Sequence, residues 1–134
     1  MYLRRLNREE QNNFLELAYC AANYNDKFAE EQKGLINEYR TEMLLDEEEY
    51  EIQEKELDDI LDFFEDSSEE IKNAVFLEIV ALILSDNIYD DKEQEIISII
   101  EDNLEISEGK HDEAVRWVED MQELYGRAEA FVSG

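Results

Sequence analysis

Apolar positions along the chain recur at the three- and four-residue spacing of a helix rather than at the alternation of a strand. Phe14, Leu17, Ala18 and Ala21 predict a helix over about 8–24, with Asn7 as N-cap and Glu10 three residues on. Leu35, Ile36, Tyr39 and Met43 predict a second over about 30–44. Tyr50, Leu57, Ile60, Leu61 and Phe64 predict a third over about 46–65, opened by an Asp46–Glu49 capping box. The fourth begins at Ser67, with Glu70 in the box position, and contains the run 74–84, which is apolar except for Glu78. A helix apolar nearly all round belongs in the middle of a bundle. The fifth starts at Asp90 with Glu93 three residues on, and carries Ile96, Ile97, Ile99, Ile100 and Leu104. The sixth runs from about Lys110 towards Phe131 on Ala114, Trp117, Val118, Met121, Leu124, Tyr125, Ala128 and Phe131.

Breakers are scarce, which supports this reading. The chain has no proline and four glycines, so few positions suit β-turns or interrupt helices. At 134 residues it fits one domain, 1–134, with no linker-like segment. The predicted fold class is all-α: a compact bundle of about six helices with the fourth at its centre.

Charge changes the picture. The chain holds 38 acids against 12 bases, a formal net charge of −26. Phosphate binding needs clustered Lys and Arg, so nucleic acid is not the expected partner. An anionic membrane surface is disfavoured for the same reason. Seven Tyr, six Phe and one Trp argue against a disordered acidic chain. Residues 46–70 hold 14 acids and one base, Lys55, a net −13 and half of the total. This segment reads either as a solvated face or as a surface for a basic partner.

Other chemistry is thin. A lone Cys20 and a lone His111 build neither an intramolecular disulfide nor a zinc site. Cys20, on an apolar stripe, reads as a small core residue. Glu108 and His111 have the Glu-x-x-His spacing of di-iron bundles, but those use two such motifs. Glu78 reads as a residue at a solvent edge or paired with an Arg, against the alternative of a buried carboxylate. Residues 1–8 lack an apolar signal-peptide core, and the 74–84 run is too short to span a bilayer, so the expected address is the cytoplasm.

A pattern repeats at an offset of about 61 residues, with copies over about 10–45 and 70–105. Each copy is an apolar helix, a short polar turn with one aromatic, and an amphipathic helix. Phe28 aligns with Tyr89, Leu35 with Ile96, Ile36 with Ile97, and Tyr39 with Ile100. The turns, Asn25-Asp26 and Asp86-Asn87, pair residues that tolerate left-handed backbone.

On these residues the chain resembles the TerB-like family, the tellurite-resistance protein TerB and its relatives. The family turn is Asp-Gly-x-(Ile/Val)-(Ser/Asp)-x-x-Glu. The second copy matches it at Asp86, Tyr89, Asp90 and Glu93, with Asn87 at the Gly position. The first copy departs at Asn25, Asp26, Phe28, Ala29 and Gln32. The resemblance spans roughly 10–125. It implies a pseudo-symmetric helical bundle acting as a binding module in stress resistance or defence, with divalent metal on acidic clusters in some members.

Asp86, Asp90 and Glu93 supply oxygen ligands suited to Ca²⁺ or Mg²⁺, with Asn25 and Asp26 as the weaker counterpart. Turn and capping roles explain the same side chains without an ion. An EF-hand is excluded, because Ile88 and Ile97 occupy positions that need oxygen ligands. No Gly-rich phosphate loop, nucleophile elbow or triad is present. The expected function is therefore a non-enzymatic acidic binding module for a protein partner with a basic surface. The alternative is an inhibitor or nucleic-acid mimic whose carboxylates fill a basic cleft.

Overall fold

The structure, a computed structural model, describes residues 2–24, 30–46, 48–86 and 91–134, with the backbone alone at 30, 31 and 86. Among those residues the chain is all-helical. Its helices are α1 (Arg8–Ala22), α2 (Glu30–Met43), α3 (Leu57–Phe64), α4 (Glu69–Ile83), α5 (Asp91–Asn103) and α6 (Lys110–Ser133). Short 3-10 turns precede α1 at Leu3–Arg5 and follow α4 at Leu84–Asp86. No helix among the described residues is long and apolar enough to cross a membrane.

The helix starts follow local chemistry. Asn7 and Glu10 form the expected capping box, the Asn7 side chain accepting from Glu10 N at 2.9 Å and the Glu10 carboxylate from Asn7 N at 2.8 Å. At α4 the cap is Ser68, one residue later than expected. Its hydroxyl accepts from Ile71 N at 3.2 Å, while the Ser67 hydroxyl donates to the Glu10 carboxylate.

α1 and α4 pack on each other at the centre. α2 and α3 lie on α1, and α5 and α6 on α4. Phe14 and Leu17 of α1 meet the same core as Val75, Ile79 and Leu82 of α4 and Ile96, Ile97 and Ile100 of α5, all essentially without solvent exposure. Each such side chain stabilises the fold by roughly 1.5–3 kcal/mol relative to an exposed one. The Phe14 and Tyr39 rings join α1 to α2 edge-to-face at 5.1 Å.

The third helix is shorter than the pattern predicts. Only Leu57–Phe64 is helical, and residues 51–56 are irregular. Asp46 still behaves as a cap, its carboxylate accepting from Glu48 N and Glu49 N at 3.0 Å each, but the chain turns away. Tyr50 and Ile52 are the sole apolar side chains between 46 and 56, too few for a helical stripe. Carboxylates three and four apart, such as Glu48 with Glu51 and Glu54 with Asp58, repel one another on a helix. The decisive difference comes from α1. The buried carboxylate of Glu16 accepts from Gln53 N at 2.7 Å and Lys55 N at 3.1 Å, donors that a helix would consume internally. The Tyr50 hydroxyl also donates to Glu16. On the other side, the Arg40 guanidinium donates to the Leu45 and Tyr50 carbonyls at 3.1 and 2.9 Å.

The sixth helix departs in the opposite sense. It starts at Lys110 as expected and runs 24 residues, two beyond Phe131, but it buries only Ala114 and Val118. Every residue from Glu123 onward is exposed, including Leu124, Tyr125 and Phe131 of the predicted core stripe. About 16 Å of helix, at 1.5 Å per residue, is therefore left uncovered.

Candidate functional site

The turn residues proposed for metal lie largely outside the described residues: Asn25, Asp26 and Asp90 entirely, and Asp86 in its side chain. Phe28 and Tyr89, the turn aromatics, lie there too. Glu93 is described and sits inside α5 at 3% exposure. Among the described residues no group of three or more His, Cys, Asp or Glu is placed to hold a metal ion.

Glu78 is not at a solvent edge. It is 6% exposed, and its carboxylate accepts from Tyr2 N at 2.9 Å. The neighbouring Glu42 accepts from Leu3 N at 2.9 Å. Two carboxylates, one from α2 and one from α4, thus receive N–H groups at the start of the first 3-10 turn, where helical geometry favours negative charge. Gln11 completes the strap by donating to the Leu3 carbonyl at 3.1 Å. The sequence signal for this role was an acid inside an apolar run.

Cys20 is half-buried, and burial pushes its thiol up, helped by the charges of Glu56 and Glu16. The thiolate is disfavoured, as suits a packing residue. His111 pairs with Glu101 at 2.9 Å and lies against the Phe76 ring, so its partner comes from α5 and not from Glu108.

Beside the strap, α2, α4 and α6 enclose a groove of about 400 Å³. Its apolar surface comes from Leu35 of α2, Leu77 and Ala81 of α4, and Trp117, Met121 and Tyr125 of α6. The charged residues lining it are Glu38, Glu42 and Glu78, with no base among them. The Tyr39 hydroxyl, also on this wall, donates to the Glu78 carbonyl at 3.1 Å. Burial, then the charges of Glu78, Glu38 and Glu42, hold that phenol well above the usual tyrosine range. The local field on this wall is negative. A second groove of about 440 Å³ shares Leu77 and Trp117 but mixes Lys110 and Arg116 with Glu113 and Asp120.

The sequence locates α6 but not this groove, because a groove needs the relative placement of three helices. It also leaves Glu16 unremarked. The available signal was the same as for Glu78: a carboxylate at position 16 between Phe14, Leu15, Leu17 and Ala18. On α3, burial of Ile60, Leu61 and Phe64 turns Asp58, Asp59 and Asp62 to solvent, which gives the 46–70 segment its acidic outer face.

Comparison of the chain with known protein families, curated proteins and solved structures finds no match.

Proposed function

We propose that this protein is a non-enzymatic, cytoplasmic acidic helical module of TerB-like type that binds the basic surface of a protein partner through its own acidic surface. The observation that carries the reading is the α2–α4–α6 groove, whose apolar surface is bordered by acids alone. An apolar floor supplies affinity through water release, and the acid border selects the sign of the partner. Following the family resemblance, the module acts in tellurite or related stress resistance or in defence, so loss of the gene should lower tolerance to such a challenge.

A second reading rests on a different observation, the net −13 over residues 46–70. There the protein would mimic a polyanion and fill a basic cleft. Charge reversal separates the two. Glu38→Lys in the groove should weaken partner binding more than Glu51→Lys with Asp58→Lys on the acidic face, if the groove is the site. The opposite order supports mimicry, and loss in neither case removes both readings.

A further inference from the structure

We propose that the exposed half of α6 is one side of a two-helix interface whose other side is a basic amphipathic helix of a partner protein. This rests on the reading of the protein as an acidic binding module, and it names the docking surface and the partner's form. The first observation is geometric. Trp117, Met121, Leu124, Tyr125, Ala128, Phe131 and Val132 follow the i, i+4, i+7, i+8, i+11, i+14, i+15 spacing of one helical face. That face continues the one that buries Ala114 and Val118, yet Leu124, Tyr125, Phe131 and Val132 are 59%, 68%, 87% and 79% exposed. Large apolar side chains clustered on one exposed face mark an interaction site more often than scattered ones do. The stripe spans about 22 Å, or four turns, which suits a helix laid along it.

The second observation is charge, and it selects the occupant. The stripe enters the groove at Trp117, Met121 and Tyr125, opposite Glu38, Glu42 and Glu78. Along α6 from 119 to 129 it is flanked by Glu119, Asp120, Glu123 and Glu129 against the single base Arg127. A second copy in a two-fold interface would set these acids against themselves, on a body already at −26. An anionic membrane would be repelled in the same way. A partner helix with Leu, Ile or Phe at i, i+4 and i+7 and Lys or Arg on both flanks matches the stripe and its borders together.

The test uses the whole protein and a synthetic Leu/Lys amphipathic helix of about 18 residues, long enough to cover the stripe at 1.5 Å per residue. The control peptide has the same composition in scrambled order. Binding is read at about 0.15 M salt, where surface charges are screened beyond about 8 Å. The single Trp117, half-buried in the groove, reports docking by a blue shift of its emission. The amphipathic peptide should bind at least tenfold more tightly than the scrambled one. The Tyr125→Ser/Phe131→Ser variant should lose that tenfold preference, with its melting temperature unchanged because both side chains are exposed. Leu124→Ser alone should lose part of it. Equal binding of the two peptides, unaffected by the variants, overturns the docking site and leaves the acidic module standing. Binding of neither peptide overturns both. A dimer in sedimentation that Tyr125→Ser/Phe131→Ser converts to monomer assigns the face to a second copy and overturns the proposal. So does association with zwitterionic vesicles that the same variant abolishes.

Discussion

The hydroxyl of Tyr50 donates to the carboxylate of Glu16 across 34 residues of chain, and Glu16 is 1% exposed where it does so. The same carboxylate takes Gln53 N and Lys55 N, so one α1 side chain fixes the course of the segment leading into α3. Hydrogen bonds to a charged group contribute about 1.5–3 kcal/mol each when buried, and they are not additive within a network. Glu16→Ala should therefore cost about 3 kcal/mol, and Tyr50→Phe about 1.5 kcal/mol. Lys55 is the one base between 46 and 70, so trypsin reads the segment directly. Cleavage at Lys55 in Glu16→Ala should accelerate beyond that of a core variant with equal loss of stability, such as Val80→Ala. Equal acceleration in both would show that the segment opens only with the whole fold.

Leu44 ends α2 in the left-handed region, at φ 56, with Leu45 N bonded to the Arg40 carbonyl at 2.8 Å. Helices usually place Gly at this position, because a Cβ there crowds the following carbonyl. Leu44 is also 72% exposed, so its side chain adds little packing. Leu44→Gly should raise stability by about 0.5–1 kcal/mol, the relief of strain exceeding the added freedom of the unfolded chain. Urea unfolding checks it, and a loss of stability would mean that Leu44 packs in solution.

The all-helical fold was legible because Phe14, Leu17, Val75 and Ile79 obey one period and the chain carries no proline. Helix ends were legible where the cap is local, as at Asn7 and Glu10. The third helix misled because its opening Asp46 cap is real but its continuation is overruled by Glu16, a residue 30 or more positions away in sequence. The sixth misled for a related reason. Periodicity says that Leu124 and Phe131 share a face, and not whether this chain supplies anything to cover it. The groove was illegible altogether, since Leu35, Leu77 and Trp117 meet only through tertiary packing.

Alkaline pH should unfold the protein earlier than a typical helical bundle. Burial, with help from Glu78, Glu38 and Glu42, raises Tyr39 well above the ordinary tyrosine value of about 10. Above pH 10 the unfolded chain has released this proton and the folded chain keeps it. Stability is complete below that pH and then falls, by about 1.4 kcal/mol per pH unit for this one group. Tyr50 is shifted in the same direction by burial and by Glu16, and Cys20, also raised by burial, starts the decline at lower pH because a thiol ordinarily titrates below a phenol. Tyr39→Phe should be less stable at neutral pH by about 1 kcal/mol, having lost its bond to the Glu78 carbonyl. Its stability should then fall less steeply above pH 10. Parallel curves for the two proteins would place Tyr39 in water.

Salt should stabilise the fold. At −26 on a 134-residue body, like charges oppose compaction, and unfolding relieves them by moving them apart. The repulsion is concentrated where α3 turns Asp58, Asp59 and Asp62 outward beside Glu65 and Asp66, with Lys55 as the one base in the segment. The Arg5–Glu70 bridge at the end of this segment offsets little of it, being more than half exposed at both ends, where such pairs contribute about 0–1 kcal/mol. Raising ionic strength from 0.01 M to 0.1 M shortens the Debye length from about 30 Å to about 10 Å, which screens the long-range repulsion and leaves short pairs largely intact. The Tm should climb over that range and then level off. Asp58→Asn with Asp62→Asn should raise the Tm at low salt and flatten its salt dependence, since both side chains are exposed and lose only charge. A Tm that ignores salt in the parent chain, or a variant that melts lower, would mean that those carboxylates are compensated locally and that the acidic face is part of the fold's stability.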